Sequence, residues 1–262
     1  MNKKLFFAGI LLLCLMAGAG LISAGEQFEG FLSSEQNAAE EIKGVLGLGV
    51  LISTPPYEGV DENVFPVPIA VLTYKNFFVD GTAFGYHLIN QEGFQFSVLG
   101  QPRLMGYDSD DSTKLNGMED RDPTLDGGLG LGWLNEWFEL DITAVTDLGG
   151  THEGQEISAV FSKELFEGFL TPRVGVKWQS EGLVDYYYGV RAAEVAAGRP
   201  EYEPDSAVNF IVGLSVGVPI GGDKWAFVFD FEYEGLNSEI SDSPIVDEDG
   251  IFSYVAGVVY RF

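Results

Sequence analysis

From about residue 44 onward, apolar and polar side chains alternate one for one along most of the chain. The clearest run is 225–233, where Trp225, Phe227, Phe229, Phe231 and Tyr233 share one face and Asp230 and Glu232 lie on the other. Successive side chains of a strand point to opposite faces, so a period of two predicts strands, and the 3.6-residue period of a helix is nearly absent. Phe138, Leu140, Ile142 and Ala144 oppose Glu139, Asp141 and Thr143, and Leu170, Val174, Val176 and Trp178 oppose Thr171, Arg173, Lys177 and Gln179. Charges of both signs thus gather on one common side.

A soluble sandwich would bury the aromatic face against a second sheet, whereas a membrane barrel would turn it to lipid. The connections decide between them. Tight turns fall near Asn135-Glu136, Phe166-Glu167-Gly168 and Gly221-Gly222-Asp223-Lys224, and long acidic loops span 107–124, 181–206 and 235–250. Short turns at one end and long loops at the other define the bacterial outer-membrane arrangement, and strands of about 9 to 12 residues cross a bilayer at a tilt. The expected fold is all-β, an antiparallel transmembrane β-barrel in the outer membrane of a Gram-negative bacterium.

Candidate strands cover 44–53, 64–74, 77–88, 94–105, 125–134, 137–147, 155–165, 169–179, 207–219, 225–234 and 251–262. Single-chain bacterial barrels have an even number, so about twelve strands are expected, with ten as the alternative, and the ambiguity lies before Gly106. Pro66 and Pro68 lack an N–H donor and fit an edge, a bulge or a strand start. In the last segment Phe252, Tyr254, Ala256, Val258, Tyr260 and Phe262 share a face. A closing aromatic strand of this kind resembles the signal read by the barrel-insertion machinery, with Tyr260 and Phe262 as its residues.

The N-terminus reads as an export address. Lys3 and Lys4 precede an apolar core from Leu5 to Met16, and Ile22-Ser23-Ala24 supplies small residues for cleavage after Ala24. Residues 1–24 are then a signal peptide, 25–43 an N-terminal periplasmic segment and 44–262 the barrel. A lipoprotein reading would use Cys14, but Leu13 stands where a small residue should precede that cysteine. Cleavage removes Cys14, the single cysteine, so disulfides and thiolate chemistry are excluded from the exported chain.

Composition narrows the partners. The 262 residues carry 40 Asp+Glu against 14 Lys+Arg, a net charge of −26 that becomes −28 once Lys3 and Lys4 are lost. Nucleic acid is excluded, because binding it depends on cations displacing counterions. Aromatics at 13% exclude a solvating, disordered chain. Outer-membrane lipid and lipopolysaccharide are the expected surroundings.

Sharper chemistry fails at each motif. Gly213-Leu214-Ser215-Val216-Gly217 matches a nucleophile elbow, but His87 and His152 both lie upstream and the segment alternates as a strand. Gly128-Leu129-Gly130-Leu131-Gly132 lacks the helix that a phosphate-binding turn requires. Asp108-Ser109-Asp110-Asp111 begins like a calcium loop with Glu119 at the twelfth place, but Thr113 occupies the position that calls for Gly. Two distant histidines without cysteine do not make a zinc site. No catalytic residue, metal or cofactor is expected.

Two candidate regions remain. On the inner face Glu139, Asp141, Asp230 and Glu232 are expected to pair with Arg173, Lys177 and Arg261, because unpaired charge in a narrow lumen is costly. The lumen should then be closed or very narrow, and cation-preferring if it conducts. In the loop 181–206 the run 190–197 is predicted to form about two helical turns, stopped by Gly198 and Pro200. Beside it Tyr186, Tyr187 and Tyr188 either contact a partner or pack the loop over the barrel rim.

Four stretches resemble one family. Pro56-Tyr57-Glu58-Gly59-Val60-Asp61 is followed by Val64-Phe65-Pro66-Val67-Pro68. Leu115-Asn116-Gly117-Met118-Glu119-Asp120 leads to Thr124-Leu125-Asp126-Gly127-Gly128. Asp185-Tyr186-Tyr187-Tyr188-Gly189-Val190 precedes Ala196-Ala197-Gly198 and Tyr202, and Asp242-Ser243-Pro244-Ile245-Val246 precedes the last strand. Their order resembles that of the MltA-interacting protein (MipA) and OmpV family of outer-membrane proteins. The resemblance implies a non-enzymatic barrel, in part of the family a scaffold joining a murein-cleaving transglycosylase to a murein synthase. A narrow cation-preferring or small-solute channel is the alternative.

Overall fold

The computed structural model describes residues 42–222 and 224–262. The expected signal peptide over 1–24 and nearly all of the segment 25–43 lie outside the described residues. What is described is a closed barrel of twelve strands: β1 (Lys43–Ser53), β2 (Asn63–Tyr74), β3 (Phe77–Asp80), β4 (Ala83–Gln91), β5 (Phe94–Arg103), β6 (Thr124–Leu134), β7 (Glu139–Asp147), β8 (Gln155–Ser162), β9 (Leu170–Gln179), β10 (Ala207–Pro219), β11 (Trp225–Gly235) and β12 (Gly250–Arg261). Each strand is antiparallel to its neighbours in sequence, and β1 closes on β12 from Val45 opposite Arg261 to Ser53 opposite Ser253. Among the described residues no helix is long and apolar enough to cross a membrane.

The twelfth strand comes from the expected segment 77–88. Gly81, at φ 56°, and Thr82 turn the chain within it, so β3 and β4 form a small hairpin. Pro66 and Pro68 are on β2, whose β3 neighbour covers only Val71 to Tyr74. The prolines therefore lie along an edge, where a missing N–H leaves no ladder bond unmade.

Burial is inverted relative to a soluble protein. On β1 Leu46, Leu48, Val50 and Ile52 are exposed, Leu48 at 76%, while Val45 and Leu51 are buried inside. On β11 Trp225 and Phe227 are exposed and Ala226, Val228 and Glu232 are buried. Apolar side chains left outward around a closed sheet are stable only where hydrocarbon replaces water. Outward aromatics pair across strands: Trp225 with Tyr260 at 5.0 Å towards the short turns, and Tyr233 with Phe252 at 4.7 Å towards the long loops. These pairs lie at the two levels where a membrane barrel carries its interfacial aromatics.

The loop helix is not where the sequence pattern suggested. α1 (Glu181–Tyr188) precedes the run 190–197, which contains only the 3-10 turn Ala192–Glu194. Leu183, Val184, Tyr187 and Tyr188 bury one side of α1, and this burial outweighs the helix propensity of the alanine-rich run. Val190 instead forms a bridge with Tyr202. A second short helix, α2 (Ser238–Ser241), follows β11 and is capped by Asn237, whose side chain accepts from the Glu239 N–H.

Candidate functional site

The lumen is divided lengthwise. Along β11, β12, β1 and β2, Val228, Val255, Val259, Val45, Val67 and Ile69 belong to one buried apolar cluster. Across β5 to β11 the inner face carries most of the buried polar side chains, and its cations Arg103, Arg173 and Lys177 are each paired with carboxylates, which outnumber them.

The first group centres on Arg173, 2% exposed. Its Nη1 and Nη2 donate to Asp230 Oδ2 and Oδ1, both at 2.8 Å, a bidentate fork of the kind a planar guanidinium favours. Nε and Nη2 reach Glu232 Oε2 at 3.3 and 3.2 Å, and Nη1 also donates to Ser215 Oγ at 2.9 Å. Gly213 makes room for this: a Cβ there would collide with Arg173 Nε. The serine of the elbow-like motif is therefore a strut on a barrel strand.

The second group joins Lys177 Nζ to Glu234 Oε2 at 2.5 Å, with Asn209 Nδ2 donating to the other oxygen at 2.7 Å. The third lies beneath the long loops. Arg103 donates to Asp126 Oδ2 from Nε at 2.7 Å and to Glu156 Oε2 from Nη1 at 3.0 Å, and Gln179 Nε2 donates to the same Glu156 oxygen at 3.0 Å. His152 accepts the Gly154 N–H at Nδ1, 3.0 Å, and its Nε2 lies 3.1 Å from Asp126 Oδ1. An acceptor at Nδ1 places the proton of a neutral ring on Nε2, facing that carboxylate.

Of the residues marked by sequence, Arg173, Asp230 and Glu232 come together. Lys177 turns instead to Glu234, Glu139 accepts from Ser162 Oγ at 3.2 Å, and Asp141 lines a cavity of about 90 Å³ with Asp80, His87 and Thr143. Arg261 lies at the short-turn end of β12, beyond Val255, the partner of Asp230. Sequence reasoning missed Arg103, Asp126, Glu156 and Glu234. Their one signal was inward parity: Glu234 continues the series Asp230, Glu232, and Glu156 stands opposite Gln179.

Asp126, Asp147 and His152 offer three ligand atoms within 4.8 Å of one another. They do not fit a metal. Asp126 is held by Arg103 and His152, and Asp147 accepts Thr124 Oγ1 and the backbone N–H groups of Gly149, His152 and Glu153 at 2.7 to 3.0 Å, closing its own loop. At the exposed trio Asp108, Asp110 and Asp111, Glu119 is directed elsewhere: it pairs with Arg191, and its N–H donates to Glu194.

The long loops fold together into a cap. Tyr57, Tyr107, Leu115, Met118, Ile240 and Ile245 pack with α1 in a second buried cluster. Tyr187 and Tyr188 are fully buried in it, and half-buried Tyr186 accepts the Asp122 N–H at its hydroxyl, 2.9 Å. The three tyrosines are thus spent on packing the loops, and the rings of Tyr187 and Tyr188 are withdrawn from any partner. Burial raises the phenol pKa values of Tyr57, Tyr187 and Tyr188, and that of Tyr107 to about 12 against the opposing pull of Arg121.

One ion pair latches the cap. Arg121 Nη2 donates to both Glu194 carboxylate oxygens, at 3.0 and 3.1 Å, and its guanidinium lies over the rings of Tyr107 and Tyr186. The Glu194 carboxylate also accepts the N–H groups of Glu119 and Arg191, each at 2.9 Å. Burial alone would raise the pKa of Glu194, but the Arg121 hydrogen bond and the two backbone donors outweigh it and hold the group below its ordinary value. Arg199 adds bonds to the carbonyls of Asn116 and Glu194 at 3.0 and 2.9 Å.

A twelve-stranded closed wall, apolar outside and lined inside by ion-paired groups on one side and an apolar cluster on the other, with short turns at one end and a folded cap at the other, is an outer-membrane β-barrel. The family model described as MltA-interacting protein MipA matches residues 46–262, and the chain belongs to that family. The MltA-interacting protein of Escherichia coli (strain K12) is 30% identical over 230 residues, which cover 86% of this chain and 92% of that protein. Outer membrane protein OmpV of Vibrio cholerae serotype O1 is 30% identical over 164 residues, 60% of this chain and 62% of that protein. Among solved structures, the NanC porin aligns with a TM-score of 0.40 at 8% identity, covering 84% of this chain and all of that one, and the CymD monoaromatic hydrocarbon channel with 0.42 at 11%, covering 94% of each. At scores this low the two channels say nothing about function, and only the family match bears on it.

Proposed function

We propose that this barrel is a non-enzymatic interaction scaffold of the outer membrane, linked to murein synthesis and turnover, and not an open solute channel. The observation that carries the reading is the obstruction of the lumen. The cap packs over one end, and the buried charge groups and the apolar cluster crowd the inner face below it, leaving a cavity of about 90 Å³ beside Asp141. Passive solute flow needs a continuous wet path, and a barrel filled this way is a rigid body whose outer surfaces are left to do the work.

The murein link rests on the E. coli relative, which carries MltA interaction in its name and aligns over most of both chains. A murein-cleaving transglycosylase and a murein synthase are accordingly the expected partners. Outer-membrane lipid and lipopolysaccharide surround the wall, and the insertion machinery reads the last strand at Tyr260 and Phe262. Ser215 is tied to Arg173, and His152 is held between Asp126 and the Gly154 N–H.

Crosslinking in intact cells, followed by purification of the barrel and mass spectrometry, tests this reading. Recovery of a murein transglycosylase or synthase, lost when the barrel is absent, supports it. Repeated recovery of neither, with both enzymes detected in the same cells, rejects it.

A further inference from the structure

The barrel wall has a notch. The β2–β3 ladder runs only from Val71 opposite Asp80 to Tyr74 opposite Phe77, so Asn63 to Ala70 lack a ladder partner on that side. The β4–β5 ladder starts at Phe84 opposite Gly100 and leaves Gln101 to Arg103 without a β4 partner. Both uncovered stretches lie at the loop-capped ends of their strands. Above the Gly81–Thr82 turn, therefore, β2 and β5 face each other across an interval that no strand among the described residues fills.

Three prolines stand on its two edges. Backbone N–H and C=O groups of one residue point to the same side of a strand and alternate along it. Gly81 N–H donates to Ala70 O at 2.9 Å, so the even-numbered residues of β2 address the β3 side, and Pro66 and Pro68 turn their donor-less nitrogens to the notch. Leu134 N–H donates to Gly93 O at 2.7 Å, so the odd-numbered residues at this edge address β6. By the same alternation, Pro102 faces the notch from β5. An open sheet edge in hydrocarbon is tolerated only where its polar groups are paired, covered or removed, and proline removes the donor.

The rims are apolar outside and mixed inside, where Arg103 of β5, buried and paired with Asp126 and Glu156, lies beside the apolar side chains. Outside, Val64 of β2 and Phe84 at the top of β4 are exposed. Inside, Phe65 and Leu104 pack against the luminal apolar cluster.

We propose that the notch seats one acyl chain of an outer-leaflet lipid, laid against Phe65 and Leu104. The notch is continuous with the lipid-facing wall at Leu48, Val50 and Val64, so hydrocarbon already borders it. A β-strand is the competing occupant, and the prolines deny it donors at alternate positions on β2. The seat would hold the acyl chain against the apolar half of the lumen, beside the charge groups.

Photo-crosslinking tests the seat. Benzoylphenylalanine replaces Phe65, or in a second variant Leu104, in the full-length barrel folded into vesicles of palmitoyl-oleoyl phosphatidylethanolamine and phosphatidylglycerol, with heat-modifiable gel migration confirming the fold. The control replaces Phe78, on β3, whose neighbours Thr73 and Gly85 close the wall on both sides. A lipid mass added at position 65 or 104, with none at 78, is the expected result. Adducts to another segment of the same chain, or equal lipid labelling at 78, would overturn the proposal.

Discussion

Arg173 and Asp230 are joined by two parallel hydrogen bonds of 2.8 Å across the inner wall, from β9 to β11, passing over the glycine of the strand between them. That fork, with Glu232 beside it, fixes the relative positions of three strands and occupies the lumen at their level.

Removing one member of a buried charge group leaves the others uncompensated. Arg173→Met should destabilise the barrel by about 3–5 kcal/mol, whereas Arg173→Met combined with Asp230→Leu and Glu232→Leu should recover most of the loss. Urea unfolding in vesicles, followed by tryptophan fluorescence, measures both. Equal losses in the single and triple variants would show that the charges are not the reason Arg173 matters.

Gly213→Ala tests the same group sterically. The added methyl falls on the Arg173 guanidinium, against Nε, and the guanidinium must move off its carboxylates. A loss of about 1–3 kcal/mol is expected in the same unfolding experiment. Combined with Arg173→Met the change should be nearly silent, and a full additive loss would refute the steric account.

The outward face is tested at Leu48, in the middle of β1 and 76% exposed. Leu48→Arg should cost about 2–4 kcal/mol in vesicles, as a cation at the midplane of a lipid-facing wall does. A soluble protein would accept arginine at so exposed a site with little change, and that result would remove the membrane from the account.

The cap should loosen at both ends of the pH scale. Glu194 has a lowered pKa in the folded cap. Its contribution is full above the unfolded value of about 4.3 and is lost as the pH falls through the folded value. Tyr107 is raised to about 12, so its contribution is full below the unfolded value of about 10 and is lost as the pH rises towards the folded one. Limited proteolysis of the loop 104–123 against pH should show protection across the middle range. Glu194→Gln should weaken protection at neutral pH and flatten the acid limb, and an unchanged acid limb would assign that limb to other groups.

The strands and their faces were legible because a wall between lipid and a filled lumen imposes strict alternation, which 225–233 and 252–262 keep to their ends. The hairpin within 77–88 did leave a signal: the outward apolar series is odd-numbered at Phe77 and Val79 and even-numbered at Phe84 and Tyr86, and that switch of parity across Asp80-Gly81-Thr82 marks the turn that a single segment 77–88 overlooks. Pro66 and Pro68 did mark an edge. The Arg173 group was legible from inward parity, but Arg103, Asp126 and Glu156 each stand near a loop as single charges, and the registers of β5 through β8 bring them together. The cap was least legible, since α1 forms where burial favours it and not where propensity is highest.

Planar-bilayer recording from the purified barrel at neutral pH tests the closed lumen most directly. Conductance at the background level, with no discrete steps, is the predicted result. Stable single-channel steps with a preference for cations, changed by Asp230→Asn, would contradict it.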